Sequence, residues 1–124
     1  MPIASIDEIN SALMRIKSSI YHSSDCFVVR TDLPKNEVTI LKLGITTEHV
    51  LEEICGLTYR DYHKGPDDNK SEKGPPKGQV WFFGKQVDGL EVYIKIHIVP
   101  TKKFTNGICI SFHEPEYPMS YPYR

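Results

Sequence analysis

Apolar residues recur at helical spacing near the start of the chain. Ser5 and Glu8 have the spacing of a capping box, which marks a helix start. The apolar positions that follow at intervals of three and four are Ile6, Ile9, Leu13, Ile16 and Ile20. This pattern predicts an amphipathic helix over residues 5–21, whose apolar side packs on the core or, alternatively, binds a partner protein.

One short strand and two shorter helices are expected next, so that residues 1–58 are mainly helical. Residues 26–31 are β-branched and aromatic, which is typical of a strand. A brief helix is predicted to begin at Pro34 and to end at Gly44. Thr46 or Thr47 caps a further helix. Its inward-facing positions are expected to be Val50, Leu51, Ile54 and Cys55.

Three strands are expected from residue 79 onward, and in residues 91–98 the apolar residues alternate with polar ones. Residues 79–84 and 90–98 flank Asp88-Gly89, a strong hairpin signal. Residues 105–107 (Thr-Asn-Gly) predict a second turn, and residues 108–113 a last strand. The pattern therefore predicts an antiparallel meander over residues 79–113.

Two segments lack a regular pattern. Residues 65–78 are rich in glycine, proline and charge, which predicts a long loop. Its lysines (Lys70, Lys73 and Lys77) could close over a polyanion or could simply be solvated. The tail, residues 114–124, has a proline every few residues and cannot form a helix or a central strand. We expect its tyrosines to pack it along the domain in an extended form, or to present it to a partner.

Helices followed by a strand meander predict an α+β fold, with the helices on one face of an antiparallel sheet. The length of 124 residues suits a single domain, residues 1–124, with one core. No apolar run approaches the ~20 residues that cross a bilayer, and residues 1–5 show no secretory signal. Three cysteines without a C-x-x-C pair favour reduced thiols. We therefore expect a cytoplasmic protein without membrane contact.

Charge modifies this picture. The net charge of -1 argues against a generic nucleic-acid binder, which is usually basic. The distribution is uneven, however: residues 1–58 hold five Lys/Arg against eight acids, and residues 59–113 hold nine against six. One face could therefore attract phosphate while another is neutral or acidic.

Alternation assigns the last strands to two faces. In residues 91–98 the expected core set is Val92, Ile94, Ile96 and Ile98. In the last strand the expected core set is Ile108, Ile110 and Phe112, and the outward set is Cys109, Ser111 and His113. If the strands pair as a meander, one polar face collects Tyr93, Lys95, His97 and His113.

Two imidazoles, a phenol and an ammonium suit RNA cleavage without a metal. The ribose 2′-hydroxyl attacks the adjacent phosphate, so a site needs a proton acceptor, a proton donor and a cation. Histidine can accept or donate near neutrality. A metal site at His97 and His113 lacks a third ligand at recognisable spacing, so we expect no cofactor. Alternatively, this face is only the solvated side of the sheet.

Several short motifs also occur in a recognisable order. Residues 56–64 (GLTYRDYHK) are similar to a G-L-x-x-x-D-[FY]-x-K pattern. The upstream motifs are Val29-Arg30-Thr31 and Leu43-Gly44-Ile45. The downstream motifs are Trp81, Val92-Tyr93-Ile94-Lys95-Ile96 and Ile110-Ser111-Phe112. This ordered set, over roughly residues 28–113, resembles the MqsR-type messenger-RNA interferase toxins.

The resemblance implies a RelE-like α+β fold and a toxin that cuts messenger RNA until an antitoxin blocks it. Lys64 matches the family's active-site lysine, a candidate for binding the scissile phosphate. Tyr93 matches its active-site tyrosine, expected to orient or deprotonate the 2′-hydroxyl. Two positions depart from the pattern: Phe82 replaces a glutamine, and His113 replaces a lysine and could act as a proton donor.

The sequence therefore predicts the endoribonuclease toxin of a type II toxin–antitoxin pair, with messenger RNA and an antitoxin protein as partners. The expected catalytic residues are Lys64, Tyr93 and His113. The expected substrate-binding residues are Trp81, Lys85, Lys95 and His97. The alternatives are a non-catalytic module that binds RNA or protein through the same basic face, and a structural domain.

Overall fold

The computed structural model describes residues 3–22, 26–68, 78–100 and 105–124. These residues form an α+β fold, as predicted. The elements in chain order are α1 (Ile6–His22), β1 (Phe27–Val29), α2 (Pro34–Leu43), α3 (Thr47–Cys55), a 3₁₀ turn (Tyr59–Asp61), β2 (Tyr62–Asp68), β3 (Gln79–Val87), β4 (Leu90–Pro100) and β5 (Thr105–His113). In these ranges no helix combines the length and the apolar character that a membrane span requires.

The helices begin and end where their caps predict. Ser5 Oγ accepts a hydrogen bond from the Glu8 amide at 3.1 Å, and the Glu8 carboxylate accepts one from the Ser5 amide at 3.1 Å. Thr46 Oγ1 accepts from the His49 amide at 3.2 Å and starts α3. Gly44, at φ 66°, ends α2 in the left-handed conformation that glycine tolerates. The predicted helix boundaries are confirmed within about a residue.

The five strands form one mixed, open sheet in the order β1-β5-β4-β3-β2. The predicted antiparallel meander of β3, β4 and β5 is confirmed. Two strands extend it: β2 pairs antiparallel with β3, and β1 pairs parallel with β5 at the opposite edge. The sheet is therefore mixed, and the prediction of a purely antiparallel sheet is wrong at the β1 edge. Parallel pairing is possible there because a long connection separates β1 from β5.

The core lies between one face of the sheet and the helices α1 and α3. The predicted apolar ladder of β4 is buried throughout. Helix α1 contributes Ile9, Leu13 and Ile16 to the same cluster, and α3 contributes Val50 and Ile54. The opposite face of the sheet is therefore left for polar side chains.

The prediction of a loop over residues 65–78 is wrong at its start. Residues 65–68 belong to β2, where Lys64 pairs with Phe82 and Asp67 with Val80. Strand β2 can contain Gly65 and Pro66 because it is the outermost strand, where a missing amide donor costs no ladder bond. Residues 69–77, and with them Lys70, Lys73 and Lys77, lie outside the described residues.

The turn predicted at residues 105–107 is also wrong, because these residues belong to β5. Further along, Ser111 pairs with Lys95 whereas Cys109 pairs with Ile96, so Ile110 is an extra residue in a β-bulge. The bulge reverses the alternation before it. Cys109 therefore packs in the core and Ile108 lies opposite His97 on the polar face, contrary to prediction. Phe112, Ser111 and His113 keep their predicted sides.

Asn36, on α2, holds this bulge in place. Its amide nitrogen donates to the carbonyl oxygens of Ile110 and Arg30, both at 2.9 Å. Its amide oxygen accepts from the Phe112 amide at 2.8 Å. The side chain thus satisfies backbone groups of β5 at and after the bulge and of the residue that follows β1. Because His113 follows Phe112 directly, Asn36 also fixes the end of β5.

The tail is extended and packs along the domain, as predicted. Tyr121 Oη donates to the Glu91 carboxylate at 2.9 Å, and Arg124 Nη2 donates to the Asp61 carboxylate at 3.1 Å. The tail crosses β3 at Gly84, where an added Cβ would lie 2.4 Å from Tyr121 Oη and 2.7 Å from Met119 Cε. Glycine is required there because the tail lies so close to the strand.

Candidate functional site

Strand register brings polar side chains from four strands to the face opposite the core. Lys64 on β2 pairs with Phe82 on β3, Phe82 pairs with Lys95 on β4, and Lys95 pairs with Ser111 on β5. In the next row Tyr93 pairs with His113. These two rows place the three predicted catalytic residues on one surface.

Phe82 is the centre of this surface and is only 5% exposed. The Lys64 ammonium lies 4.7 Å from the centroid of its ring, and the Lys95 ammonium lies 5.6 Å from it. The Tyr93 ring is 6.2 Å away from it, centroid to centroid. The ring thus attracts both ammonium groups through cation–π interactions. Where the resembled family has a glutamine, this chain has an aromatic support for two cations.

Tyr93 and His113 form the second row, with ring centroids 5.5 Å apart. Burial and, to a lesser extent, the negative charge of Asp67 raise the pKa of Tyr93 above its ordinary value of 10.0. The phenol therefore stays protonated near neutral pH. It can donate a hydrogen bond, but it is poorly suited to remove a proton, so of its two expected roles orientation fits better.

The orientation of the His113 ring is set by its own strand end. Nδ1 lies 2.8 Å from the carbonyl oxygen of Glu114. Since a carbonyl oxygen only accepts hydrogen bonds, Nδ1 carries the proton and Nε2 is the nitrogen left for chemistry. This arrangement serves the ring both as a neutral base and as a cationic acid.

A cleft of about 370 Å³ opens beside this surface. It is walled by tail residues 115–119 and by the side chains of Lys35, His63, Lys64, Tyr93 and His113. The structure therefore brings Lys64, Tyr93 and His113 together in one cleft. Its volume lies within the ~300–1,000 Å³ typical of sites for small ligands.

The four residues expected to bind substrate lie outside the lining of this cleft. Lys95 is on the same face, one row away. His97 is further along β4, buried between Val80 and Ile108. Trp81 points to the opposite face, in the core, and is 2% exposed.

Lys85 is the fourth of these residues and is engaged elsewhere. Its ammonium forms an ion pair with the Glu53 carboxylate at 3.0 Å and donates to the Glu53 carbonyl oxygen at 3.2 Å. It therefore joins β3 to the end of α3. Of the predicted substrate-binding set, only Lys95 has its ammonium near the candidate site.

The sequence analysis does not predict two residues that line the cleft, His63 and Lys35. His63 belongs to the β2 segment that was not predicted as a strand. Its Nδ1 lies 2.8 Å from the Ser120 carbonyl oxygen of the tail. Lys35 lies in the first turn of α2 and forms an ion pair with Glu116. His63 directly precedes Lys64 in the motif, which could have indicated that it lies near the site. The family pattern allows any residue at this position, so the motif itself does not single out His63.

The cleft contains two lysine ammonium groups, and the negative charge of Asp67 also reaches it at Tyr93. Glu116 is paired with Lys35, and Glu114 is paired with Lys42 at 2.7 Å. Helix α2 thus neutralises the two carboxylates that the tail brings to this side. With Lys64 and Lys95 held over Phe82, this side suits an anionic ligand such as a phosphodiester.

Comparisons of the chain with protein-family models, with curated proteins and with solved structures found no match. The resemblance to the interferase toxins therefore stays a prediction from motifs. Within residues 3–22, 26–68, 78–100 and 105–124, no group of three His, Cys, Asp or Glu side chains is placed to hold a metal ion.

Proposed function

We propose that this protein is an endoribonuclease that cleaves messenger RNA by attack of the ribose 2′-hydroxyl on the adjacent phosphate. The observation that supports this proposal is the convergence of Lys64, Tyr93 and His113 on one cleft. Together they offer a cation, a hydrogen-bond donor and an imidazole, which are the groups that this reaction needs without a metal.

Each residue has a distinct role in the proposed reaction. The Lys64 ammonium binds the scissile phosphate and offsets the negative charge that grows on it. The protonated Tyr93 phenol orients the 2′-hydroxyl. His113, as an imidazolium, donates the proton from Nε2 to the departing 5′-oxygen. The products are a 2′,3′-cyclic phosphate and a 5′-hydroxyl.

The motif resemblance extends this proposal to a biological role. We propose that the enzyme has a RelE-like fold and is the toxin of a type II toxin–antitoxin pair, acting in the cytoplasm and held inactive by an antitoxin protein. The α+β arrangement, with α1 and α3 on one side of the sheet and the cleft on the other, is compatible with this role.

The decisive experiment is cleavage of single-stranded RNA by the purified protein in the presence of a metal chelator. We expect 2′,3′-cyclic phosphate ends in the products. His113→Ala should slow cleavage ~10²-fold or more, the usual scale for a lost acid–base group, and Tyr93→Phe should slow it because the variant lacks the hydroxyl that orients the 2′-hydroxyl of the substrate. His49→Ala is the matched control, because this imidazole lies on α3 and pairs with Glu53.

Expression in a growing bacterium tests the toxin role. The wild-type protein should arrest growth and deplete transcripts, and His113→Ala should relieve both effects. Intact growth together with uncut RNA would contradict the proposal. RNA binding that weakens with added salt, without any cyclic-phosphate product, would instead support the non-catalytic binding module.

A further inference from the structure

We infer that His63 is the general base of this cleft and that the tail holds it in the reactive orientation. The inference rests on the proposed ribonuclease function, which assigns an acid, a cation and an orienting phenol but leaves the proton acceptor unassigned. It adds one catalytic residue, His63, and one positioning segment, residues 119–121.

A register shift in β2 turns His63 into the cleft. Tyr62 pairs with Phe83 and Lys64 pairs with Phe82, so His63 is an extra residue between two pairs that are adjacent on β3. Tyr62 is buried in the core, and Lys64 reaches over the Phe82 ring. His63 lies between these two directions and lines the cleft.

The contact with Ser120 defines which nitrogen of His63 is basic. The Ser120 carbonyl oxygen, 2.8 Å from Nδ1, can only accept, so Nδ1 carries the proton. Nε2 of the neutral ring then keeps its lone pair. A backbone carbonyl at the other nitrogen is a common way to fix the tautomer and orientation of a functional histidine.

His113 has the same arrangement, with Nδ1 2.8 Å from the Glu114 carbonyl oxygen. The cleft therefore contains two imidazoles that are each anchored through Nδ1 and each leave Nε2 for proton transfer. An RNA-cleaving site that works through one acid and one base needs such a pair.

The other side chains of the cleft are poorer bases. The pKa of Tyr93 is raised by burial, so its phenol holds its proton. The Glu116 carboxylate is paired with Lys35. The lysine ammonium groups carry no lone pair. Among the described residues that line the cleft, His63 and His113 are therefore the best suited to accept and donate the protons of this reaction.

The proton balance of the proposed step is complete. Nε2 of neutral His63 takes the proton of the 2′-hydroxyl while the 2′-oxygen bonds to phosphorus. The bond between phosphorus and the 5′-oxygen breaks, and His113 gives the Nε2 proton to that oxygen. The cycle leaves His63 protonated and His113 neutral, and exchange with water restores both.

The position of the Ser120 carbonyl depends on its neighbours in the tail. Tyr121 donates to Glu91, and both Tyr121 and Met119 pack on Gly84. A methyl group at position 84 would overlap both side chains. Gly84→Ala therefore pushes the ends of the Tyr121 and Met119 side chains away from β3, without removing any imidazole, phenol or ammonium group of the cleft.

The first test is the pH profile of kcat/KM. The charged and titratable side chains that share the described cleft with His63 are Lys35, Lys64, Tyr93, His113, Glu116 and Tyr117. For the wild type we expect activity that rises and then falls with pH, as one acid and one base produce. His63→Ala should remove the rising limb and lower kcat ~10²-fold or more. His113→Ala should remove the falling limb.

An RNA with sulfur in place of the scissile 5′-oxygen separates the two roles, because a thiolate leaves without a proton donor. This substrate should restore cleavage by His113→Ala but not by His63→Ala. Added imidazole should partly rescue His63→Ala, which shows that the variant is folded. Gly84→Ala should lower kcat about tenfold without abolishing either limb.

The outcomes distinguish a failure of the ribonuclease function from a failure of the role of His63. If the wild type leaves RNA uncut, the proposed function fails. If the wild type cuts RNA but His63→Ala keeps the rising limb and at least a third of the rate, the ribonuclease proposal stands and the role of His63 is refuted. Rescue of His63→Ala by the sulfur substrate would likewise overturn its role as the base.

Discussion

Replacing Asn36 by alanine tests how the end of β5 is held. The side chain is 1% exposed and makes three hydrogen bonds, to the carbonyl oxygens of Arg30 and Ile110 and to the Phe112 amide. Alanine removes all three partners at once. Helix α2 makes these three hydrogen bonds through this one side chain.

The cost follows from how buried each group is. A buried polar group that loses its partner costs about 1–3 kcal/mol. The Phe112 amide is buried and takes the full penalty, whereas Ile110 is half-buried and Arg30 is exposed, so water partly replaces the amide at their oxygens. We therefore expect Asn36→Ala to lower the free energy of unfolding by about 2–4 kcal/mol.

Urea denaturation followed by circular dichroism measures this loss. The midpoint should fall by roughly 1–2 M, for a slope of ~2 kcal/mol per molar urea. Asn36→Asp should lose at least as much, because it keeps the acceptor for Phe112 but points an oxygen at two carbonyl oxygens. Asn10→Ala, at an exposed position of α1, should change stability by less than about 0.5 kcal/mol. A loss below 1 kcal/mol for Asn36→Ala would refute the bracing role.

Three further predictions concern the turn, the tail and the aromatic centre. Gly89→Ala should cost about 1–2 kcal/mol in urea denaturation, because φ is 83° and nothing lies within 4 Å of the added methyl. Burial and the hydrogen bond to Glu91 raise the pKa of Tyr121 from 10.0 to about 12. The stabilisation that Tyr121 gives to the docked tail is therefore present below pH 10 and is lost as the pH rises towards 12. Amide exchange of the tail should show this pH dependence, and Tyr121→Phe should abolish the dependence. In the proposed RNA cleavage, Phe82→Leu should raise KM about two- to fivefold by weakening two cation–π contacts.

The parts of the fold that local chemistry decides could be predicted from the sequence. The capping box at Ser5 and the left-handed Gly44 each fix a helix end through the residue itself. The β4 ladder has one uninterrupted alternation, so its faces were assigned correctly. Tyr93 and His113 meet because directly paired residues of antiparallel strands point to the same face of the sheet. Once the faces of β4 are known, the face of its partner at the end of β5 is known as well.

The parts of the fold and the site that could not be predicted depend on extra residues in strands and on contacts between residues far apart in the sequence. Alternation assumes that every residue has one partner, and the bulge at Ile110 breaks this assumption, which is why Cys109 was assigned to the wrong face. The irregularity at His63 hid a cleft residue in the same way. The prediction that Trp81 binds substrate is wrong for a related reason. Its place in the motif does not show which face of β3 the side chain lies on, and it lies on the core face.

The distances in sequence between paired groups have a consequence for the order of folding. Asn36 reaches Phe112 across 76 residues, and Phe27 pairs with Gly107 at the edge of the sheet. Closing such long loops is slow, so contacts of this kind form late. The helices and the β3–β4 hairpin can form first, since their contacts are local. During refolding, the proposed RNA cleavage should therefore recover after the circular dichroism signal, with a lag that Asn36→Ala lengthens.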